Sequence, residues 1–237
     1  MSKIAIILAG GKGTRLRPYT VVLPKPLMPI GEYPILEVIV RQLATHGFTR
    51  IIMAVNHQAE LIKAFFGNGE KWNVAIEYSL EDIPLGTMAP LKLIKNLPEN
   101  FLVMNGDILT DLSFGDFYSE HVSNNELFTI SSHKREQVID YGVLELNHNN
   151  QLIGFNEKPK SNYEVSMGIY MVNYKVLNFI PSAKPYGFDS LMLDLLNKNH
   201  RVAVKSYAGK WLDIGRPDDY MEAIEQFDTM KEIFLNA

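Results

Sequence analysis

Short apolar segments of strand length alternate with amphipathic segments of helix length along the first half of the chain. The predicted strands of this half are residues 3–9, 50–56, 74–78 and 101–104. The predicted helices are residues 34–43 and 59–66, with a further helical segment at 91–95. Because helices and apolar strands alternate, the pattern predicts a parallel sheet covered by helices on both faces, a three-layer α/β sandwich.

The pattern changes after residue 112. Short alternating strands are predicted at residues 128–130, 141–146 and 152–155, with a hairpin turn at 148–150. A strand at 165–172, helices at 174–179 and 188–197, a strand at 202–207 and a helix from Pro217 follow. We therefore predict a mixed, mostly parallel sheet with a small antiparallel lobe. Five aromatic residues are expected to pack in the core: Phe65, Phe66, Phe114, Phe117 and Tyr118.

Composition narrows the class of partner. The 237 residues are 46% hydrophobic and 21% charged, which is typical of a globular protein. A net charge of −4 argues against a nucleic-acid partner and favours a small ligand. The chain has no cysteine, no apolar run long enough to cross a membrane and no signal-peptide pattern, so a cytoplasmic location without membrane attachment is expected.

A glycine-rich segment follows the first strand directly. Residues 10–18 read GGKGTRLRP, so three glycines and three cations come at the carboxyl end of an apolar strand. This layout is typical of phosphate sites in which backbone N–H groups approach bound oxygens. The segment is not a Walker loop, because Gly13 follows Lys12, and it is not GxGxxG, because Leu16 replaces the last glycine. The segment predicts a nucleoside triphosphate site.

The string GGxGTRLRPxT followed by PKP resembles the signature of sugar nucleotidyltransferases. Within that family, the sequence is most similar to the sugar-1-phosphate guanylyltransferases. The resemblance extends to residues 211–217, WLDIGRP, and so covers most of the chain. It implies a Rossmann-like fold, Mg²⁺ as cofactor, and transfer of a nucleotidyl group from a nucleoside triphosphate to a sugar 1-phosphate with release of pyrophosphate. We expect one domain, 1–237, with a nucleotide-binding half (1–112), a sugar-phosphate-binding half (113–237) and no C-terminal β-helix domain.

The resemblance assigns the phosphate-binding residues. Arg15 is expected to neutralise the triphosphate, and Lys25, held between Pro24 and Pro26, to contact the phosphates at the reacting centre. Lys12 and Arg17 are either further phosphate ligands or solvated surface charges. The expected nucleotide-binding residues are Leu8, Ala9, Gly10, Gly11, Gly13, Thr14, Glu81, Gly86 and Thr87.

Two aspartates match the metal-binding pattern of the same family. Asp107 follows an apolar strand through Asn105 and Gly106, which puts it at the strand's carboxyl end, where ligands of open α/β sheets usually bind. Asp213 lies between apolar residues of WLDIGRP. By resemblance, Asp107 and Asp213 hold Mg²⁺, which prefers carboxylate oxygens. The alternative is a turn residue at Asp107 and a helix cap at Asp213.

The acceptor side also has family motifs. The resemblance assigns sugar-phosphate binding to five residues: Gly142, Glu157, Lys158, Ser166 and Gly168. Before the Gly-Ile-Tyr string that starts at Gly168, the family commonly has an asparagine, and this chain has Ser166-Met167. The shorter hydroxyl changes what the pocket recognises, so the identity of the sugar stays open.

Glu81 bears on the choice of base. The segment from Leu85 to Ala89 resembles the family's loop near the base, and Glu81 stands where thymidylyltransferases usually have glutamine. A carboxylate only accepts hydrogen bonds, so it suits the two adjacent donors of guanine and favours GTP. A solvated Glu81 is the alternative. A thymidylyl-, uridylyl- or cytidylyltransferase, a different phosphorylated acceptor, a noncatalytic nucleotide-sugar sensor and a homo-oligomeric state also remain open.

Overall fold

The computed structural model describes residues 2–56, 58–81, 83–182 and 184–236. The strands are β1 (Lys3–Leu8), β2 (Pro29–Ile30), β3 (Tyr33–Pro34), β4 (Phe48–Val55), β5 (Ala75–Leu80), β6 (Asn100–Asn105), β7 (Ile108–Thr110), β8 (Phe128–Val138), β9 (Gly142–Leu146), β10 (Leu152–Glu157), β11 (Lys160–Asn173), β12 (Ala203–Tyr207) and β13 (Trp211–Asp213). The α-helices are α1 (Ile35–Thr45), α2 (Ala59–Phe66), α3 (Phe114–Ser123), α4 (Phe188–Asn197) and α5 (Pro217–Asn236).

A central seven-stranded sheet has the order β12-β8-β11-β6-β1-β4-β5. Strands β6, β1, β4 and β5 are parallel to one another, and β11 is antiparallel to both β6 and β8. At the centre, Ala5, Ile6 and Ile7 are fully buried, as expected for a strand that is covered on both faces. The predicted mixed, mostly parallel sheet is confirmed.

Helices cover both faces of the sheet. On one face, α1, α2, α3 and α5 contribute to a core that includes Leu43, Phe117 and Phe227. On the other face, α4 packs against residues of β6 and β8, including Phe101 and Phe128. The three-layer arrangement predicted from the sequence is therefore confirmed. No helix in the described ranges is both long and apolar enough to cross a membrane.

Of three local predictions, the structure confirms one, changes the helix type of another and contradicts the third. The predicted hairpin is confirmed, with β9 antiparallel to β10. The segment predicted as helical at 91–95 is a 3-10 helix, Ala89–Leu93, with Pro90 in its first turn. Phe65 was expected in the core, but its side chain is 42% exposed and stacks on Trp72 at the edge of α2. That expectation is wrong because neighbouring positions of a helix face different directions.

Two long strands continue beyond the central sheet. Residues 133–138 of β8 pair with 160–165 of β11, and the β9–β10 hairpin lies between them in the chain. We call residues 133–165 the β-arm. Apolar side chains on it are largely solvent-exposed, with Tyr141 at 78%, Ile153 at 65% and Phe155 at 60%. The arm therefore adds little to the hydrophobic core.

Candidate active site

The glycine loop starts where β1 ends, in the middle of the sheet. Gly10 lies close to the end of β4, because a Cβ there would lie 3.2 Å from the Asn56 Cβ, which is a tight contact. Gly13 has a φ of 59°, in the left-handed region that favours glycine, and its carbonyl accepts a hydrogen bond of 2.7 Å from the Thr20 hydroxyl. The loop is thereby held close to the body of the protein, while a Cβ on Gly11 would meet open space.

Asp107 and Asp213 are brought together by strand pairing. Asp107 follows β6, the parallel neighbour of β1, and the adjacent Gly106 N–H donates to the Leu8 carbonyl at 3.0 Å. The antiparallel pair β7–β13 aligns Asp213 with Ile108, and the Ile214 N–H donates to the Asp107 carbonyl at 3.0 Å. Two aspartates that are far apart in the sequence therefore flank the end of the glycine loop.

Two cations complete this cluster. Lys25 lies in a 3-10 turn, Lys25–Leu27, is 8% exposed, and its Nζ forms an ion pair with Asp107 Oδ2. Arg15 lies in another 3-10 turn, Thr14–Leu16, and its Nη1 is 3.7 Å from where a Cβ on Gly215 would sit. We call Arg15, Lys25, Asp107 and Asp213 the charged cluster.

The pKa of Asp213 reflects this setting. Burial raises the pKa of the carboxyl first, and the negative charges of Asp107 and Asp219 raise it further. The positive charges of Lys25 and Arg15 oppose that rise in pKa. Two carboxylates that repel each other in a partly buried place favour the binding of a cation between them.

A cavity of about 380 Å³ opens on one side of the charged cluster. Its walls include six of the expected nucleotide-binding residues: Leu8, Gly10, Gly11, Glu81, Gly86 and Thr87. Lys12 and Asp107 also line the cavity, so Lys12 faces the candidate nucleotide site. Ala9 is buried behind the loop, Thr14 is exposed beyond it, and Arg17 is exposed and does not line the cavity.

Glu81 lines the same cavity as Asp107. The side chain is 9% exposed, and its Oε2 accepts a hydrogen bond of 3.0 Å from the Leu85 N–H. Burial raises the pKa of Glu81, and the Leu85 hydrogen bond opposes that rise. Its Oε1 lies beside the glycine loop, 3.3 Å from where a Cβ on Gly10 would sit. The alternative of a solvated Glu81 is wrong for this structure.

The residues predicted to bind the sugar phosphate separate into two groups. Gly168 lies close to Asn105, since a Cβ on Gly168 would be 2.6 Å from Asn105 Nδ2, and the Gly168 N–H donates to Ser166 Oγ at 3.2 Å. Gly142 and Glu157 are register partners on the exposed hairpin of the β-arm. Lys158 lies next to them and pairs with Asp140 at 2.8 Å. In the part of the chain that the structure describes, these hairpin residues form no side-chain hydrogen bond or ion pair with Ser166 or Gly168.

Comparison with known proteins identifies the family. The family model described as nucleotidyl transferase matches residues 4–229. This chain belongs to the nucleotidyl transferase family. It spans 62% of the length of the curated relatives described next, and these relatives share about one third of its residues.

Two curated relatives of this chain differ in the nucleotide that they are named for. A mannose-1-phosphate guanyltransferase of Aspergillus oryzae is 35% identical over 226 residues, which is 92% of this chain. A UTP-glucose-1-phosphate uridylyltransferase of Synechocystis sp. is 35% identical over 243 residues, which is 93% of this chain. The sequence likeness alone therefore leaves the base open.

Two solved structures of the same fold also differ in the nucleotide that their descriptions name. HddC from Yersinia pseudotuberculosis, complexed with GMP-PN, has a TM-score of 0.73 and 27% identity, and the match covers 95% of this chain and 99% of HddC. A putative glucose-1-phosphate thymidylyltransferase from Bacillus anthracis, in complex with sucrose, also has a TM-score of 0.73, with 25% identity and coverage of 95% and 94%.

The sequence analysis did not assign a role to several residues that line the candidate site. Asn56, Pro84 and Asn105 line the 380 Å³ cavity together with the expected glycines. Asn56 follows the carboxyl end of β4, so its position at a strand end was a usable signal. Asn105 belongs to the same Asn-Gly-Asp string as Asp107, but its side chain gave no chemical indication by itself.

Proposed function

We propose that this chain transfers a nucleotidyl group from a nucleoside triphosphate, with GTP favoured, to a sugar 1-phosphate and releases pyrophosphate. One observation carries the proposal. Four charged groups from distant parts of the sequence, Arg15, Lys25, Asp107 and Asp213, converge beside the glycine loop and a cavity of about 380 Å³. Family membership supports the reaction class.

Catalysis in this proposal consists of alignment and charge neutralisation. The nucleophile is an ionised phosphate oxygen, so no general base is needed. The ammonium of Lys25 is almost buried, which strengthens its attraction for a phosphoryl oxygen at the reacting centre. Arg15 is exposed at the edge of the loop, where its planar guanidinium can contact two oxygens of the triphosphate.

Asp107 and Asp213 fit the binding of Mg²⁺ by the chemistry of their donor atoms. Mg²⁺ is typically bound by one or two carboxylates together with substrate phosphates and waters. Asp213 is partly buried, and its pKa is raised by the neighbouring Asp107, so a cation would relieve repulsion there. When bound, Mg²⁺ would neutralise charge on the phosphate oxygens of the substrates.

Glu81 supports guanine as the base. Its buried carboxylate can still accept further hydrogen bonds, because the Leu85 N–H donates only to Oε2. Guanine presents two adjacent hydrogen-bond donors that a carboxylate can accept together. A pyrimidine needs a donor as well as an acceptor from the protein, and Glu81 offers a donor only when protonated.

A pyrimidine nucleotide is the second candidate. The uridylyltransferase of Synechocystis sp. is as similar to this chain as the guanyltransferase of Aspergillus oryzae, at 35% identity each. In that case the mechanism stays the same and Glu81 would be held away from the base by its bond to the Leu85 N–H.

The test is pyrophosphate release from the purified protein with Mg²⁺, in a grid of GTP, dTTP, UTP and CTP against a panel of sugar 1-phosphates. Activity with GTP alone is the expected result, and Glu81→Gln should reduce the preference for GTP about tenfold or more. Activity with a pyrimidine keeps the reaction and discards the guanine assignment. A silent grid from a folded protein that still binds a nucleotide favours the noncatalytic sensor and contradicts the proposal.

A further inference from the structure

The arginines of this chain divide into those with and without a carboxylate partner. Three arginines form ion pairs with glutamates: Arg41, Arg50 and Arg201. Among the residues that the structure describes, four arginines form no such pair: Arg15, Arg17, Arg135 and Arg216. Three of them, Arg15, Arg135 and Arg216, line a single cavity of about 710 Å³, which also contains Asp213. All the unpaired guanidinium groups except that of Arg17, which is exposed outside this cavity, are therefore at one place.

The three arginines come from separate parts of the fold. Arg15 follows the glycine loop, and Arg216 lies between β13 and the start of α5. Arg135 belongs to the part of β8 that extends into the β-arm. Strand pairing and the loop after β13 bring these positions to one cavity, although no sequence motif connects Arg135 with the other two.

Four carboxylates lie in the same walls, and two of them, Glu136 and Glu164, are engaged with other partners. Glu136 pairs with Lys160 at 2.9 Å. Glu164 accepts a hydrogen bond of 2.6 Å from the Ser132 hydroxyl, and bonds from Ser132 and Ser206 lower its pKa. Asp219 also lines the cavity and lies near Asp213. The arginine side chains therefore remain free to bind an anion, and a guanidinium can hold a phosphate by two parallel hydrogen bonds.

We propose that Arg135 and Arg216, together with Arg15, bind a phosphate-bearing anion in the 710 Å³ cavity. The inference deepens the proposed function and rests on it for the role of that anion. The reaction supplies two such anions, the pyrophosphate that leaves and the phosphate of the acceptor. Because Arg135 belongs to the β-arm and Arg216 to the body, an anion that contacts both also links the arm to the body.

The binding test uses inorganic pyrophosphate and inorganic phosphate, each titrated separately into the full chain by calorimetry. We expect at least one of the two anions to bind, and Arg135→Gln and Arg216→Gln each to weaken its binding about tenfold. Arg135→Lys keeps the charge but loses the planar fork, so it should fall between the wild type and Arg135→Gln.

Arg201→Gln is the matched control, because it removes the same charge from an exposed arginine that pairs with Glu126 away from this cavity. Anion binding that is equal in the wild type, Arg135→Gln and Arg216→Gln overturns the proposal. A loss of affinity that is the same in Arg201→Gln also overturns it, because net charge would then account for the effect.

Steady-state kinetics distinguish the two sources of the anion. If the cavity holds pyrophosphate, both glutamine variants should raise the KM for pyrophosphate about tenfold in the reverse reaction and leave the KM for the acceptor unchanged in the forward reaction. If it holds the acceptor phosphate, the opposite pattern is expected. Either pattern supports the site, whereas unchanged KM values in both directions contradict it. Anion binding that depends on Arg135 and Arg216 in a protein without turnover would support the site and reject the proposed function.

Discussion

Lys25 and Asp107, which are 82 residues apart in the sequence, form an ion pair between Nζ and Oδ2 near the carboxyl end of the central strand β6. The pair joins the turn after the glycine loop to the residue that follows β6. Lys25 is 8% exposed, so its charge lies where water is scarce and where Asp107 is its compensating partner. A phosphate that binds at this point meets a cation whose position is already fixed.

Asp107→Asn should lower turnover strongly and leave the fold intact. The amide has the same shape as the carboxylate but cannot bind a metal ion as tightly or balance the charge of Lys25. We expect kcat for pyrophosphate release to fall roughly a hundredfold or more. Steady-state kinetics give this number, and circular dichroism checks the fold.

The matched control for that variant is Glu60→Gln, which removes a carboxylate from an exposed pair with Lys63 on α2. It should leave kcat within about twofold of the wild type, since exposed pairs contribute little free energy. Near-native turnover of Asp107→Asn would mean that the metal and Lys25 are organised by other groups.

Glu81→Gln should stabilise the protein without nucleotide at neutral pH. Burial raises the pKa of Glu81 above its ordinary value of 4.5, so the ionised form is less favourable in the folded than in the unfolded protein. This cost exists above the raised pKa and disappears as the pH falls below the pKa of the unfolded chain. The variant's gain in free energy of unfolding should therefore be present at pH 7 and absent near pH 4.

Urea unfolding at both pH values measures this difference for Glu81→Gln and for Glu77→Gln as control. Glu77 is exposed, and its pair with Arg50 lowers its pKa, so its removal should not stabilise the protein at pH 7. A Glu81→Gln gain that does not depend on pH would mean that ionisation is not its cause.

Much of the nucleotide side could be predicted from sequence because the relevant signals are local. An apolar strand followed by a glycine loop places Gly10 and Gly11 at a strand's carboxyl end, and the same reasoning places Asp107 next to them. The structure agrees for these three residues, because β1 and β6 are adjacent and parallel. Buried strands of this kind have few alternatives, since they are apolar over their whole length.

The acceptor side could not be predicted in the same way because its geometry depends on long-range pairing. The backbone hydrogen bond between Ile214 and Asp107 requires β13 to align with β7, and no local sequence pattern predicts that alignment. Glu157 lies in a clear sequence motif, yet the exposed hairpin that carries it is positioned by the outer ends of β8 and β11. Arg135 resembles any surface cation in the sequence, and only the fold groups it with Arg15.

His121 should make stability depend on pH in mildly acidic solution. The ring is 2% exposed, and its nitrogens lie 2.7 Å from Thr129 Oγ1 and 3.2 Å from Asn100 Oδ1. Burial lowers the pKa of His121 from 6.5 to about 4. The neutral ring is therefore favoured by folding above pH 6.5, and this contribution is lost as the pH falls toward 4.

On the order of 3 kcal/mol of unfolding free energy should be lost from this source between pH 6.5 and pH 4. His121→Asn should lower stability at pH 7 but flatten its fall over this range, as measured by urea unfolding at half-unit steps of pH. His148→Asn, at an exposed position in the β9–β10 turn, should keep the slope of the wild type. Equal slopes in all three proteins would show that another group titrates.

Gly168→Ala should destabilise the protein and disturb the site together. Gly168 has a φ of 75°, and an added Cβ would lie 2.6 Å from Asn105 Nδ2 and 2.7 Å from Ile108 Cδ1. These two residues flank Asp107, so relief of the clash moves the backbone that carries a charged-cluster residue. We expect a loss of roughly 2 to 4 kcal/mol in unfolding free energy and a lower kcat.

Gly47→Ala separates the cost of the left-handed backbone from the cost of the steric clash in Gly168→Ala. Gly47 has a φ of 79°, close to that of Gly168, but its Cβ would meet no atom within 4 Å. It should cost about 1 kcal/mol for the left-handed backbone alone and leave kcat unchanged. Urea unfolding and pyrophosphate release measure both effects. If the two alanine variants lose equal unfolding free energy, the clash with Asn105 and Ile108 contributes nothing to that loss. Tight packing around Gly168 would then not help to hold Asp107 in position.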